Sequence, residues 1–463
     1  MLLEIRLPQM TKLRLRKIIA QPRYIFSIFV LLALIASARL LVGSALSDSP
    51  NRVERTNFYN NYVIFQQSFF HLIDGKDLYV SFPNEHYDLF KYTPTFAAVF
   101  GLFAVAPDWL GFTWWTLLNA LILLAAIYYL PNPRDQLLPP PPAKTINLGN
   151  YAKGFIAICC LFDLDTTLLG VQSNGLMAGL IILSVGLLER NKYLWAAFCL
   201  VASIYIKLFG AVGLALFLLY PRQGKLALYT LFWAAVLGAA PLIFVSPAQY
   251  GDLLVSYWNL LAQDHAASAG ISLIGLLNAT LALPVNKSAA VLIGAVIFML
   301  PFCRIKNYTD VKFRLLMLCA VLIWVIIFNH RTESATLIIA TVGMALWFVV
   351  GEKNAMNLAL FIAALSLTSL ALTGVAAWFL WQWLGDRWKI YPAVAVGAAV
   401  LLALVASDIY FGFPLKMIYR AYIEPYSLRI APCILIWLKL TCDLLAGKFS
   451  VAGEIEEPLK IKN

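Results

Sequence analysis

The sequence predicts an all-α polytopic membrane protein, one membrane domain over residues 1–463, and three observations predict it. First, 61% of the residues are hydrophobic and only 13% are charged, with a mean hydropathy of +0.78. A soluble domain needs a charged exterior that this composition cannot supply. Second, apolar runs near the roughly 20 residues that cross a hydrocarbon core recur along nearly the whole chain. Third, the Lys and Arg residues behind the net charge of +11 are scattered between those runs, as loop charges that set orientation are. They form no contiguous basic patch with interleaved aromatics, which excludes nucleic acid as a partner.

Each element follows from that pattern. Residues 1–23 carry Lys12, Arg14, Arg16, Lys17 and Arg23 and are expected in the cytoplasm, so the first helix runs outward. Its apolar run, Tyr24 to about Leu46, is too long for a signal peptide and lacks a small-residue cleavage site. Residues 47–92 form the first extracytoplasmic loop. Within it Phe58, Tyr62, Phe65, Phe69 and Leu72 make a stripe at helical spacing, while Asn57, Asn60, Gln67 and His71 fall off it. That pattern predicts a short interfacial helix on the bilayer surface.

Further spans are expected at about 94–106, 110–130, 155–169, 175–188, 194–220, 227–245, 288–303, 314–328, 335–350, 355–373, 391–410 and 430–447. The run 194–220 reads as two short helices broken near Lys207 and Gly210. Lys/Arg-bearing loops at 189–193, 221–225, 303–314 and 351–354 are expected inside. The second large outer loop is 246–287, and 329–334 is also outside. The Pro-rich loop 131–153, with a tetraproline at 139–142, reads as cytoplasmic from Arg134, Lys144 and Lys153, yet counting spans puts it outside. One short segment near it is therefore re-entrant, and the total is roughly eleven to thirteen spans.

Chemistry-bearing residues gather on one side. All four histidines, His71, His86, His265 and His330, fall in loops assigned to the extracytoplasmic face. Asp74, Asp77, Glu85 and Asp88 join them in HLIDGKDLYVSFPNEHYDLFKYTP, where a carboxylate or imidazole beside an apolar wall has the makings of a general base. Solvated loop charges are the structural alternative. Lys207 interrupts an apolar run, and an ammonium there needs a partner: a phosphate, or a carboxylate such as Asp163 or Asp165. Gln172 and Asn174 open the next helix, either as caps or as hydrogen-bonding groups for a sugar's hydroxyls. The seven cysteines lie in or beside apolar segments without metal-site spacing, so no metal and no cofactor is expected. No P-loop, HExxH, GxSxG or dinucleotide fingerprint is present. With no room for a soluble domain, a phosphate-bearing donor must enter from the membrane, which points to a lipid carrier.

The runs NNYVIFQQSFFHLIDGKDLY and FKYTPTFAAVFGLFAVAPDWLGFTWWTLLN resemble the opening of glycosyltransferase family 87, a branch of the GT-C superfamily that includes polyprenyl-phosphate-mannose-dependent α-mannosyltransferases. GVQSNGLMAGLIIL is similar to that family's Gly-Gln-x-Asn segment, IYIKLFG to its Ile-Lys-x-x-Pro segment, and Asn329–His330 to a late loop with His. The resemblance covers roughly residues 20 to 350. It implies a GT-C-like bundle in a bacterial inner membrane. Its members pass a sugar from a polyprenyl phosphate to a lipid or glycan acceptor on the extracytoplasmic face. Lys207, His330 and Arg331 would hold the carrier phosphate; Gln172, Asn174 and His265 would meet substrate.

One departure bears on catalysis. Asn61 stands where the family has its Asp, and an amide cannot accept a proton as a base. Glu85 and Asp88 are the expected replacements, with His86 beside them; the alternative is a branch that binds a lipid-linked sugar without turning it over. A lipid-linked glycan transporter is the rival of another class, and it would place polar residues near the bilayer midplane.

Overall fold

The computed structural model describes residues 18–47, 49, 51–131, 148–267, 269–281, 285–368, 423, 425 and 427–447, without the side chains of residues 52, 265–267 and 281. The cationic cluster Lys12–Lys17, the tetraproline and the span expected at 391–410 lie outside the described residues, as does the His265 side chain. Among the described residues there is no strand. Besides a short turn of helix at Arg52–Thr56, the helices in chain order are α1 (Pro22–Ala45), α2 (Asn60–Ile73), α3 (Pro94–Ala104), α4 (Asp108–Tyr129), α5 (Asn150–Cys159), α6 (Leu161–Leu169), α7 (Asn174–Leu188) and α8 (Tyr193–Ile206). There follow α9 (Gln223–Gly238), α10 (Pro247–Ala267), α11 (Leu273–Leu281), α12 (Lys287–Met299), α13 (Val311–Ile327), α14 (Ile338–Val350), α15 (Ala355–Thr368) and α16 (Ala431–Ala446). Between α8 and α9, Leu208–Leu219 winds as a 3-10 helix.

Among the described residues three stretches are long and apolar enough to cross a membrane: Pro22–Ala45, Asp108–Tyr129 and Gln223–Ile243. Others are shorter. The 15 residues of α7 and 14 of α8 rise about 21–23 Å, against a hydrocarbon core of about 30 Å. The missing length is all at one end. α4 and α7 run parallel, and at their shared C-terminal end Gly186 sits against the Tyr129 backbone. Arg190 Nη1 donates there to the Tyr129 and Gly186 carbonyls at 2.7 and 2.9 Å, satisfying groups that a helix end leaves open. Gly179 and Gly186 carry no Cβ because one would meet α4 backbone within 3 Å; small residues let the two helices close up. At the other end α7 starts late: Asn119, eleven residues into α4, accepts from Leu176 N at 2.9 Å. The first turn of α7 is thus recessed about 16 Å along α4 from Asp108.

The parity of the early spans is resolved by α3. Asp108, at the start of α4, accepts from Gln66 at 2.9 Å, so α4 begins beside α2, at the end where α1 finishes. Ser37 and Thr116 pair at 2.9 Å, which sets α1 and α4 antiparallel. Both ends of the 11-residue α3 lie at that same level. Thr95 at its start donates to the Leu237 carbonyl at 3.1 Å, and its last carbonyl, Ala104, accepts from Gln66 at 3.2 Å. Its 11 residues rise about 16 Å, well short of the roughly 30 Å of a hydrocarbon core, so α3 packs at one end of the bundle instead of running its length as the expected span at 94–106 would. The end of α4 at Tyr129 and the start of α5 at Asn150 therefore lie at the end opposite α2. Lys153 confirms this by donating to the Tyr128 and Leu130 carbonyls at 2.9 and 2.7 Å. The predicted break at Lys207 is present: α8 runs toward the α2 end and the 3-10 segment returns. At about 2.0 Å per residue its 12 residues cover about 24 Å, matching α8.

The surface-lying helix expected around the Phe58 stripe is more deeply set. Tyr62, Phe65, Phe69 and Leu72 are buried as the stripe predicts, but so are Val63, Ile64, Gln66, Ser68 and His71, while Phe58 is exposed. The loop 74–92, α3 and α10 cover α2, and α10 is pinned over this end by Ser256 donating to Asp77 at 2.9 Å. At the opposite end a bidentate Arg314–Glu189 pair, 2.6 and 2.7 Å with Tyr220 donating to the same carboxylate at 2.6 Å, ties three loops together.

This topology predicts that cysteines placed at exposed Lys76 and Tyr87 share one side of the membrane, and cysteines at exposed Lys192 and Lys225 the other. Impermeant maleimide labelling of intact cells and of inverted vesicles checks it. Mixed sidedness within either pair contradicts the bundle order.

Candidate functional site

Polar groups that the short helices deliver gather around the late start of α7. Asn174 is the first residue of α7 and fully buried. It is not a cap. Its Oδ1 accepts from Lys207 Nζ at 2.8 Å, and its Nδ2 donates to the Ala335 carbonyl at 3.0 Å. Lys207 reaches it because the backbone is extended there, φ −142° and ψ 128°, where α8 ends. The ammonium also lies 5.4 Å from the Tyr92 ring centre, a cation–π contact. Its carboxylate neighbour is Glu333. The partners considered from sequence are taken elsewhere: Asp163 accepts from Thr341 at 2.5 Å, and Asp165 pairs with Arg39 at 3.1 Å. Gln172 is half-buried and its amide has no hydrogen-bond partner among the described residues, so it is available to a hydroxyl.

Residues 329–336 form the wall opposite. Thr167 donates to the Ala335 carbonyl at 2.6 Å, and Arg429 donates to Ser334 at 2.6 Å while holding the Thr368 carbonyl at 2.6 Å. The same segment turns His330 and Arg331 away from Lys207, onto Asp264 in the last turns of α10. Arg331 grips Asp264 through Nε and Nη2, one to each carboxylate oxygen. His330 Nε2 stands 3.9 Å from Asp264, and Lys91 Nζ 3.8 Å. The expected trio Lys207, His330 and Arg331 is thus split into a floor (Lys207, Asn174, Glu333) and a rim (Lys91, Asp264, His330, Arg331). Tyr92, beside Lys91, joins them by its contact with Lys207 and a 3.3 Å hydrogen bond to Ser173.

The candidate bases separate. Asn61 Nδ2 donates to the Gly170 carbonyl at 2.6 Å, bracing the turn before Gln172, so this position does structural work. Asp88 is exposed and bound to Lys91 at 3.1 Å. Glu85 is different: its Oε2 lies 2.9 Å from Nε2 of His71, whose side chain is 3% exposed, a close contact without regular hydrogen-bond alignment. Burial lowers the His71 pKa, and the nearby Glu85 charge opposes this without overcoming it. His86 is buried, with Nδ1 unpartnered among the described residues, and burial lowers its pKa too. Tyr87 N donates to Asn60 at 3.1 Å, which fastens this segment to the helix that carries Asn61. Neither Glu85 nor Asp88 has a contact with Lys207. Glu333, Asp264, Lys91 and His71 were not singled out from sequence; Asp264 beside His265 and Glu333 beside Arg331 were the available signals.

Fold and site define a helical membrane protein with a recessed polar site, rich in cations, at one end of the bundle. The sequence profile of glycosyltransferase family 87 matches residues 90–328, just over half of the chain. The chain belongs to glycosyltransferase family 87 and is a membrane glycosyltransferase. No curated protein matches it in sequence. The matched region carries Asn174, Lys207 and Asp264, and begins after Asn61, His71 and Glu85.

The lowered His71 pKa gives a signed expectation. The neutral ring is favoured in the folded state, so its contribution to stability is present above the ordinary value of 6.5 and is lost as pH falls through the lower folded value. Thermal unfolding of the detergent-solubilised protein between pH 7 and pH 5 should therefore show a steeper loss for the wild type than for His71→Gln. Parallel curves would contradict it.

Proposed function

We propose that the protein transfers a hexose, mannose or a close relative, from a polyprenyl phosphate to a lipid or glycan acceptor on the extracytoplasmic face of a bacterial inner membrane. The observation that carries this reading is the recessed site. Lys207 and Asn174 lie about 16 Å along α4 from its start; with that start at the outer membrane surface, the site would sit at acyl-chain depth, where a donor carried on a lipid arrives by lateral diffusion. Phosphate attracts the cations of floor and rim more strongly there than in water, because the dielectric screen is weaker. Gln172 and Asn174 offer amides to the sugar.

In the step itself an acceptor hydroxyl oxygen bonds to the anomeric carbon. The bond from that carbon to the phosphate oxygen breaks, and the carrier leaves as polyprenyl phosphate with the electron pair. Glu85 takes the hydroxyl proton. His71 beside it is held neutral, so it does not quench the carboxylate as an imidazolium would. A second reading, a relative that binds a lipid-linked sugar without transferring it, is favoured by Asn61, which is an amide engaged with Gly170.

Purified protein in liposomes, given radiolabelled polyprenyl-phosphate hexoses and a membrane extract as acceptor source, should label a new product, and nucleotide sugars alone should not. With an active donor, Glu85→Gln should lower turnover by about 10²–10⁴-fold, the usual worth of a general base. Full activity in Glu85→Gln removes it as the base. Binding of the donor with no product from any acceptor favours the second reading.

A further inference from the structure

Just before Asn174 the chain departs from the usual way of ending a helix. The end of α6 is closed by a paired C-terminal cap, in which Gln172 N donates to the Thr167 carbonyl and Val171 N to the Leu168 carbonyl, both at 3.0 Å. The residue that such a cap holds in the left-handed region is usually glycine. Here it is Val171, at φ +48°, and a β-branched residue is a genuine outlier there. Glycine stands one residue earlier, at Gly170, where φ −76° and ψ −1° suit any residue. Its use there is space: a Cβ on Gly170 would come within 3.3 Å of Gln172 Cγ. Both departures favour one outcome, a Gln172 side chain with room beside Gly170 and its amide open.

A strained residue persists only where its surroundings over-determine it. The peptide units on both sides of Val171 are held from other helices, which fixes its φ and its ψ. Asn61, in the first turn of α2, donates Nδ2 to the Gly170 carbonyl at 2.6 Å. Trp115, on α4, donates Nε1 to the Val171 carbonyl at 3.2 Å. The Val171 side chain is fully buried. Asn60, next to Asn61, accepts from Tyr87 N at 3.1 Å. Adjacent amides at the head of α2 thus hold two different things: Asn60 the segment that carries Glu85, and Asn61 the turn that carries Gln172. An ionised carboxylate at position 61 could not make the second contact, because it has no proton to donate to a carbonyl. Asn174 already has both amide atoms engaged, by Lys207 and by the Ala335 carbonyl, so Gln172 has the greater hydrogen-bonding capacity to offer.

We propose that Asn61 and Trp115 are positioning residues for sugar recognition: they hold Val171 in the left-handed conformation that presents the Gln172 amide to a hydroxyl of the donor sugar. The proposal rests on the lipid-linked hexose reading above and deepens it. Position 61 acts through Gln172 and takes no proton. An acid placed there removes a hydrogen bond and supplies no base. A hydrogen bond weakens steeply when it is misaligned, so what the two donors fix is the direction of the Gln172 amide, and with it which hydroxyl arrangement the site accepts.

The test is equilibrium binding of polyprenyl-phosphate mannose, glucose and galactose to the full-length detergent-solubilised protein, each compared with polyprenyl phosphate that carries no sugar. The wild type should bind at least one sugar-bearing probe more tightly than the sugarless one. Gln172→Ala, Asn61→Asp and Trp115→Phe should each weaken that probe about tenfold, the worth of one hydrogen bond, and leave binding of polyprenyl phosphate unchanged. Asn61→Asp combined with Gln172→Ala should again lose about tenfold, because both changes remove the same contact. Val171→Gly, which stays left-handed without a brace, should recover the loss when added to Asn61→Asp. Where Asn61→Asp does not fold, Trp115→Phe, which keeps a ring in its place, carries the same comparison. Equal weakening of the sugar-bearing and sugarless probes overturns the positioning role, and so does a loss of about a hundredfold in the combined variant, the mark of independent sites. Faster sugar transfer by Asn61→Asp than by the wild type returns position 61 to proton transfer and overturns the proposal. A wild type that binds none of the three hexose probes overturns the hexose reading and the proposal together. One that binds them while Asn61→Asp and Trp115→Phe match it overturns the proposal alone.

Discussion

The hydrogen bond from Lys207 to Asn174 is the contact on which the site depends. It is made 2.8 Å long inside a helical bundle, where an ammonium is costly unless it is paired. Everything near it serves that pairing. The backbone of α8 opens into an extended residue at Lys207, α7 starts eleven residues below the head of α4 so that Asn174 stands at the same depth, and residues 329–336 supply both the Ala335 carbonyl and the Glu333 charge. Short helices here are a device: a full-length α7 would fill the recess with apolar turns.

The architecture separates holding from covering. The end bearing Arg190, Lys153 and the Arg314–Glu189 pair fixes the helices by satisfying their terminal carbonyls and by a bidentate ion pair. Removing one partner of so enclosed a pair costs about 3–5 kcal/mol, so this end is built to stay closed. The other end is layered. α2 and α3 sit on the bundle, the loop 74–92 lies over α2, and α10 crosses that loop through Ser256 and Asp77.

Much of this was legible in the sequence. Composition and recurring apolar runs gave the class, and the resemblance of 90–119, 170–183 and 204–210 falls inside the region that shows the family, whereas 60–79 lies before it. Lys207 announced itself as a cation in an apolar run, and the break beside it was readable. Its partner was not, because Asn174 is 33 residues away and pairing across helices leaves no local pattern. Residues 94–106 read as a span because apolarity is the same for a helix facing lipid and one facing protein. His71 lay off the apolar stripe and is buried all the same, since the loop that covers it is polar in sequence but packs Phe82 against its ring at 3.9 Å. Asp264 and Glu333 were not singled out because only the folded chain brings them to Arg331 and Lys207.

The central claim is that a lipid-borne phosphate descends into the recess between α7, the Lys207 break and residues 329–336. The most direct measurement is photo-crosslinking of the protein in liposomes with a polyprenyl phosphate carrying a diazirine beside the phosphate, followed by peptide mapping. The account predicts adducts on residues 170–175, 205–210 and 329–336, suppressed by unlabelled polyprenyl phosphate. Adducts confined to the apolar faces of α9 and α12 that carry the exposed Leu231 and Leu292 would contradict it.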